Sequence, residues 1–154
     1  MKLLVMSDTH SDAAVITNVI AQNPDVDAIF HCGDSELSCS APELQGVLKV
    51  RGNCDQDIEF PTEMIKEIDG KRIYMTHGHL YHIKSSLTAL SYRAREVQAD
   101  VVLFGHSHVL GVELVDNILY INPGSLLLPR GQRSRYRQDQ PRSTYIGQSQ
   151  ALPD

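Results

Sequence analysis

The chain contains five short apolar runs, each of a length typical of a buried β-strand. They cover residues 2–6, 27–30, 46–50, 72–75 and 101–104. Each run is followed within a few positions by a side chain that can bind a metal ion. The C-terminal ends of parallel strands open on the same edge of a sheet, and ligands collect there in open α/β folds. We therefore predict that polar residues scattered along the sequence meet at one point.

Two segments have the apolar periodicity of amphipathic helices. Asp12 is the predicted N-cap of the first helix, which Asn23 and Pro24 end. Ser85 or Ser86 is the predicted N-cap of the second. The apolar stripes are Val15, Ile16, Val19 and Ile20 in the first helix, and Leu87, Leu90, Ala94 and Val97 in the second.

Two β-hairpins are predicted in the second half of the chain. Asp69-Gly70 and Asp116-Asn117 lie between apolar runs, and pairs of this kind favour the positive φ angles of a tight hairpin turn. Strands and helices alternate before these hairpins, and residues 101–104 predict a central strand. The pattern predicts an α/β fold with mixed sheets and helices outside them, in a four-layer α/β/β/α sandwich. The flanking strands are residues 62–68 and 72–76 for the first hairpin, and 111–115 and 118–121 for the second.

Composition narrows the class of protein. A chain of 154 residues with 42% hydrophobic content is the size of one domain with its own core. The formal net charge of -5 argues against bulk nucleic-acid binding, and the apolar stretch at residues 3–6 is too short for a signal peptide or a membrane span. Three cysteines without a C-x-x-C pair suit a reducing compartment better than a disulfide framework. We expect a cytoplasmic protein that does not bind membranes.

Each predicted strand end has its own short polar motif. Taken singly, the carboxylate and amide motifs are ordinary turns. The histidine clusters are more specific, because histidine is the commonest metal ligand, and four of the chain's seven histidines lie in them. The alternative, polar caps on strand ends, does not explain the order of the motifs. In chain order they are Asp8-Thr9-His10, Gly33-Asp34, Gly52-Asn53, His77-Gly78-His79 and Gly105-His106-Ser107-His108.

As an ordered set, these motifs resemble the calcineurin-like metallophosphoesterase superfamily, and most closely its small single-domain phosphodiesterase branch. The resemblance covers residues 1–131, which we expect to form the metallophosphoesterase domain. Residues 132–154 are expected to form a polar, arginine-rich C-terminal tail. Three motifs are typical of the branch: Gly52-Asn53-Cys54-Asp55, Thr76-His77-Gly78-His79 and Asn122-Pro123-Gly124-Ser125.

The resemblance implies a dinuclear metal site with Asp34 as the bridging ligand. Mixed oxygen and nitrogen ligands suit manganese, which we expect, or nickel, iron or zinc. Two such ions imply hydrolysis of a small phosphate ester by attack of a bridging hydroxide on phosphorus. The implied ligands are Asp8, His10, Asp34 and His108 for the first ion, and Asp34, Asn53, His77 and His106 for the second.

The proton donor to the leaving group departs from the family pattern. Many relatives carry histidine after the asparagine, whereas this chain has Cys54. A thiol with an ordinary pKa near 8.5 is mostly protonated at neutral pH, so Cys54 is one candidate catalytic residue. His79 is the other, either as the donor or as a residue that orients a metal ligand. The sequence leaves both roles open.

The C-terminal segment departs from the family as well. Relatives follow the Asn-Pro-Gly-Ser motif with two more apolar strands, whereas here residues 143–146 begin such a strand and residues 147–150 do not continue it. We expect the closing strands to be missing or divergent. An open sheet edge would invite pairing with another subunit, which makes a homo-oligomer one expectation.

A second function belongs to the same fold. The chain also resembles the retromer subunit of this fold, which is a protein-interaction scaffold without hydrolytic function. Loss of ligand residues would favour the scaffold. Every expected ligand type is present here, so we favour the enzyme.

Overall fold

The computed structural model describes residues 2–125 and 145–148. The described residues form two helices, α1 (Ala13–Gln22) and α2 (Thr88–Glu96), and two short 3-10 turns, Pro42–Leu44 and His79–Tyr81. They also form nine strands: β1 (Lys2–Met6), β2 (Ala28–His31), β3 (Leu48–Lys49), β4 (Glu63–Ile68), β5 (Lys71–Thr76), β6 (Val101–Leu103), β7 (Gly111–Val115), β8 (Ile118–Asn122) and β9 (Tyr145–Gln148).

The strands form two sheets. Sheet 1 has the order β3-β2-β1-β9, in which β1, β2 and β3 are parallel and β9 is antiparallel to β1. Sheet 2 has the order β4-β5-β6-β8-β7, in which β5, β6 and β8 are parallel and each edge strand is antiparallel to its neighbour. Both sheets are therefore mixed, and β6 is central, as predicted.

Three apolar clusters separate four layers. Val5 and Phe30 of sheet 1 pack with Leu103 and Ile121 of sheet 2 in the central cluster between the sheets. A second cluster buries one face of α1 against the outside of sheet 1, and a third buries α2 against the outside of sheet 2. The predicted α/β/β/α sandwich is confirmed.

Local sequence explains where α1 begins and ends. The carboxylate of Asp12 accepts a hydrogen bond of 3.0 Å from the backbone N–H of Val15, as an N-cap residue does. Asn23 follows the last turn, as predicted. The predicted cap of α2 is wrong, because Leu87 occupies that position and no side chain caps the helix there.

Both predicted hairpins are present. Asp69 and Gly70 join β4 to β5 with φ angles of 51° and 76°, and Asp116 and Asn117 join β7 to β8 with φ angles of 52° and 64°. Residues that tolerate positive φ are therefore at the four turn positions that need them. Strand β3 is shorter than predicted, with two residues instead of five.

One closing strand is present in sheet 1. Strand β9 pairs antiparallel with β1, from Lys2 opposite Gln148 to Val5 opposite Tyr145. The expectation was a missing or divergent closing strand, and β9 is a divergent one, because backbone pairing does not require the apolar alternation that the segment lacks. Strand β9 falls within the predicted tail, and the boundary at residue 131 stays a prediction.

Candidate metal centre

The two sheets bring their C-terminal strand ends to one place. Asp8 and His10 follow β1, and Asp34 follows β2. His77 follows β5, and His106 and His108 follow β6, the neighbouring strand of sheet 2. The loops hydrogen-bond to each other: the N–H of Asp8 donates to the carbonyl of Gly33 at 2.9 Å, and that of Gly105 to the carbonyl of His77 at 3.0 Å.

Asp8 lies at the centre of this cluster and is fully buried. Its Oδ1 atom lies 3.1 Å from Nε2 of His77 and 3.2 Å from Nε2 of His108. Its Oδ2 atom accepts hydrogen bonds from the Ser7 hydroxyl and, at 3.1 Å, from the backbone N–H of His106. One carboxylate therefore contacts both histidine clusters.

His77 lies between two carboxylates. Its Nε2 atom is 3.2 Å from Oδ2 of Asp34 in addition to its contact with Asp8. The other oxygen of Asp34 accepts a 2.8 Å hydrogen bond from the backbone N–H of Cys54. This bond attaches the loop after β3 to the cluster.

The predicted metal ligands include two groups of three residues, and within each group the ligand atoms lie within 4.8 Å of one another. Asp8, His10 and His108 form the first group, and Asp8, Asp34 and His77 form the second. The first group contains three residues that the family resemblance assigns to the first ion. The second group contains Asp34 and His77, which it assigns to the second ion, together with Asp8, which is common to both groups. The bridging role of Asp34 stays a prediction.

Asn53 and His106 lie at the border of the cluster. The His106 ring centroid is 5.0 Å from that of His77, and the ring is partly exposed. The Asn53 side chain is exposed, and its amide nitrogen lies 3.6 Å from the sulfur of Cys54. Their roles as ligands of the second ion stay predictions.

The carboxylates hold a positive charge on His77. Burial by itself would lower the pKa of His77, but its hydrogen bonds to Asp34 and Asp8 raise it to about 9. Burial would likewise raise the pKa of Asp8, yet its hydrogen bonds with His108 and His77 lower it well below the usual range. The pKa of Asp34 is also lowered, because hydrogen bonding and the charge of His77 outweigh burial. Without a metal ion, the cluster therefore favours the positively charged form of the buried His77 imidazole.

The neighbouring histidines are biased towards the neutral form. Burial and the charge of His77 lower the pKa of His106 to about 4 and also lower that of His79. The Nδ1 atoms of His79 and His77 are 3.1 Å apart, so His79 is in contact with a predicted ligand. A neutral imidazole is the form that binds a metal ion.

Cys54 is an exposed thiol at the edge of the cluster. Burial of part of the side chain and the charges of Asp34 and Glu36 raise the pKa of Cys54 to about 11. The thiol is therefore protonated at neutral pH and has a proton to give.

His31 is near the cluster but has other partners. Its Nε2 atom is 2.9 Å from the Thr9 hydroxyl, and its Nδ1 atom accepts from the N–H of Gly33 at 3.1 Å. Burial lowers the pKa of His31 to about 4, so the ring is neutral. His31 is therefore a fully buried histidine whose two ring nitrogens both have partners within the protein.

Backbone strain is concentrated at the cluster. Residues that are not glycine rarely adopt positive φ, and where they do so the surrounding structure must hold them. Five predicted metal ligands have positive φ angles, which range from 45° to 69°. The residues are Asp8, His10, Asp34, His106 and His108.

Two glycines let the loops approach each other. A Cβ atom on Gly52 would collide with the Asp34 carboxylate, and a Cβ atom on Gly105 would collide with Ser7 and lie 2.7 Å from Oδ2 of Asp8. The glycine before Asn53 and the glycine before His106 are therefore required by close packing between loops.

Two buried residues hold the loops in place and were not predicted from the sequence. The buried Asp55 carboxylate accepts from the backbone N–H groups of Asp34 and Glu36 at 2.8 Å and of Gly52 at 2.6 Å. The Ser125 hydroxyl donates to the backbone carbonyl of Asp8 at 2.8 Å. Asp55 and Ser125 belong to motifs that the resemblance singled out, which was the available signal.

The cluster fits divalent transition-metal ions. Its donors are carboxylate oxygens and imidazole nitrogens, the mixture that suits manganese, iron, nickel or zinc. Two buried carboxylates face each other across His77. Like charges at this depth require a cation between them, and a proton on His77 supplies one when no ion is bound.

Sequence comparison identifies the family. The sequence model of the calcineurin-like phosphoesterase superfamily domain matches residues 1–138. The chain belongs to this superfamily. A Bacillus subtilis (strain 168) protein described as probable metallophosphoesterase YsnB is 42% identical over 135 residues, which cover 87% of this chain and 80% of that protein. Phosphodiesterase YfcE of Escherichia coli (strain K12) is 34% identical over 93 residues, which cover 55% of this chain and 47% of that protein.

Solved structures show the same fold. A predicted phosphoesterase from Streptococcus pneumoniae TIGR4 superposes with a TM-score of 0.82 at 39% identity, covering 85% of this chain and 76% of that one. Vps29 of Entamoeba histolytica, in a zinc complex, superposes with a TM-score of 0.67 at 21% identity, covering 82% and 75% of the two chains. The second similarity is one of fold alone.

Neither helix of the described residues has the length and hydropathy to cross a membrane.

Proposed function

We propose that this protein is a metal-dependent phosphodiesterase that hydrolyses small phosphate esters at a site for two divalent ions, with manganese expected. The observation that supports it most is the contact of Asp8 with both His77 and His108. That contact brings together carboxylates and imidazoles from both sheets, as a site for two neighbouring ions would require. The phosphodiesterase name of one relative agrees with the proposal.

The ligand sets proposed for the two ions are those implied by the family. Asp8, Asp34 and His77 are fixed by burial and by hydrogen bonds, so these side chains lose little freedom on binding metal. When bound, two such ions neutralise the phosphoryl oxygens and supply a bridging hydroxide for in-line attack on phosphorus. The chain's own task is to hold the carboxylates ionised and to keep His79 and His106 neutral, whereas His77 must give up its proton before it can bind metal.

The leaving group needs a proton, and two residues stand near enough to the ligands to supply it. The thiol of Cys54 is protonated at neutral pH, although a pKa of about 11 makes it a weak acid. His79 contacts His77 and is partly exposed, but its lowered pKa means that only the minor protonated fraction of the ring can donate a proton at pH 7. We propose that one of them protonates the leaving group, and a substitution series distinguishes them.

We also propose a cytoplasmic location. All three cysteines are free. Cys32 is buried, and Cys54 is exposed. Free thiols in both settings suit a reducing compartment.

The proposal is tested by metal analysis and hydrolysis on the same preparations. We expect about two equivalents of transition metal in wild type, and metal-dependent hydrolysis of bis(p-nitrophenyl) phosphate. Asp34→Asn should abolish turnover and lower metal content sharply, since it removes a predicted ligand of both ions. Asp25→Asn, the same change at an exposed position, is the control.

Two results would contradict the proposal. Hydrolysis by Asp34→Asn within threefold of wild type would disprove the role of Asp34. Absence of bound metal and of hydrolysis in wild type would favour the scaffold function, for which the fold similarity to Vps29 is the supporting observation.

A further inference from the structure

An apolar groove of about 580 Å³ lies between α2 and the outer face of sheet 2. Leu87 from the start of α2, Phe104 from the end of β6 and Tyr120 from β8 line it. These side chains belong to the apolar cluster that packs under α2. The volume is in the range of sites that bind small organic molecules.

The groove is continuous with the loop that presents two predicted metal ligands. Ser107 lines the groove and lies in the chain between His106 and His108. Asn122 also lines it, and its amide nitrogen donates to the Ser107 hydroxyl at 3.0 Å and to the Gly105 carbonyl at 3.1 Å. A molecule in the groove would therefore contact a fixed loop of the metal centre.

Charge differs between the two sides of the metal centre. Lys84 lines the groove. Its positive charge is a cause of the lowered pKa of His106, smaller than burial and the charge of His77. On the other side, a polar pocket of about 520 Å³ is lined by Glu36 and Asp57. Glu113 also lines the groove and offsets the charge of Lys84, so an anionic ester is repelled less in the groove than in the acidic pocket.

Gly111 keeps the groove open. It lines the groove, and a Cβ atom built there would meet no atom within 4 Å. Gly111 and Glu113 are two residues apart on β7 and therefore face the same side of sheet 2. Glu113 is paired with Tyr120 of β8, so the side-chain position of Gly111 faces the α2 side, as Tyr120 does. A side chain at this position therefore has open space at its Cβ atom, and a large one would extend over the groove.

We propose that this groove binds a ring-sized apolar substituent of a phosphate ester whose phosphoryl group lies on the metal centre. The inference rests on the proposed phosphodiesterase function and adds a substrate class to it, namely esters that carry an aryl or nucleobase-sized ring. The apolar wall provides the binding surface, and Ser107 provides the continuity with the centre.

The test measures binding rather than turnover. Phenylphosphonate and methylphosphonate are titrated calorimetrically into manganese-loaded protein, because they share the anion and differ in the ring. In wild type the phenyl compound should bind on the order of tenfold more tightly, as burial of a ring predicts. Gly111→Leu should remove that preference and leave methylphosphonate within about twofold, whereas Lys66→Leu, the matched change on exposed strand β4, should keep it.

Each outcome decides the question. Equal affinity of the two phosphonates for wild type, or a preference that survives in Gly111→Leu, would overturn the groove proposal and leave the phosphodiesterase proposal intact. Failure of both compounds to bind would overturn both. A measurement without a variant is also decisive: in zinc-loaded protein, nuclear Overhauser contacts between the phenyl protons and the Leu87 methyl groups should appear, and their absence would place the ring elsewhere.

Discussion

The Nε2 atom of His77 lies 3.1 Å from the Oδ1 atom of Asp8, and this contact joins the ends of strands in two different sheets. Both side chains are fully buried. A buried carboxylate and a buried imidazole stabilise each other only while they carry opposite charges or share a metal ion. The metal centre is therefore also a structural link between the two halves of the sandwich.

His108→Ala should weaken the first ion more than the second. The His108 ring contacts Asp8 in the group that contains His10, and it lies outside the group of Asp34 and His77. Metal titrations followed by calorimetry should show a larger loss of affinity at one of two sites. Equal loss at both sites would show that the ligands are divided differently.

The metal-free protein should lose stability as pH rises from about 6.5 to about 9. The pKa of His77 is 6.5 in the unfolded chain and about 9 in the folded protein. A raised pKa gives stability that is fully present below the unfolded value and is lost as pH rises through the folded value. Denaturant unfolding in the presence of a chelator, repeated across this pH range, measures the slope.

His77→Gln is the matched variant for this slope. It should flatten the dependence between pH 6.5 and 9, because the other shifted histidines titrate lower. The pKa values of His31 and His106 are both lowered to about 4, so their contributions change in acid. An unchanged slope in His77→Gln would show that another group is responsible.

Cys54→His should speed esters with poor leaving groups more than those with good ones. An imidazole with a pKa near 6.5 is a better proton donor than a thiol whose pKa is about 11. The gain for alkyl esters should be on the order of 10², if the ring reaches the leaving oxygen. The measurement is log kcat/KM against leaving-group pKa for aryl and alkyl phosphate esters.

His79→Ala belongs in the same series as the control. In wild type a shallow slope that becomes steep in His79→Ala would identify His79 as the donor. A slope that His79→Ala leaves unchanged, and that Cys54→His flattens, would identify position 54 as the place where the proton is supplied.

Gly52→Ala should destabilise the protein and weaken metal binding. The added Cβ atom would lie 2.5 Å from the backbone nitrogen of Asp34 and would collide with its carboxylate. Overpacking of this kind costs about 1–3 kcal/mol in the free energy of unfolding. Gly111→Ala, where the added atom meets nothing, should change that free energy by less than about 0.5 kcal/mol.

The sequence by itself determined the local structure and the types of ligand. Asp12 caps α1, and Asp69-Gly70 and Asp116-Asn117 form the hairpin turns, because these features depend on neighbouring residues only. The order of the motifs was sufficient to identify the superfamily. Each metal-binding side chain was expected at a strand end, and the C-terminal ends of β1, β2, β5 and β6 hold Asp8, Asp34, His77 and His106.

The tertiary structure alone decided how those residues meet. It placed Asp8, rather than Asp34, in contact with both histidine clusters, and it made the Asp55 carboxylate the acceptor for three backbone N–H groups. It also paired β9 with β1, where the sequence predicted only the start of a strand. Contacts between residues far apart in the chain depend on which sheets pack together, and hydrophobic pattern along one strand does not contain that information.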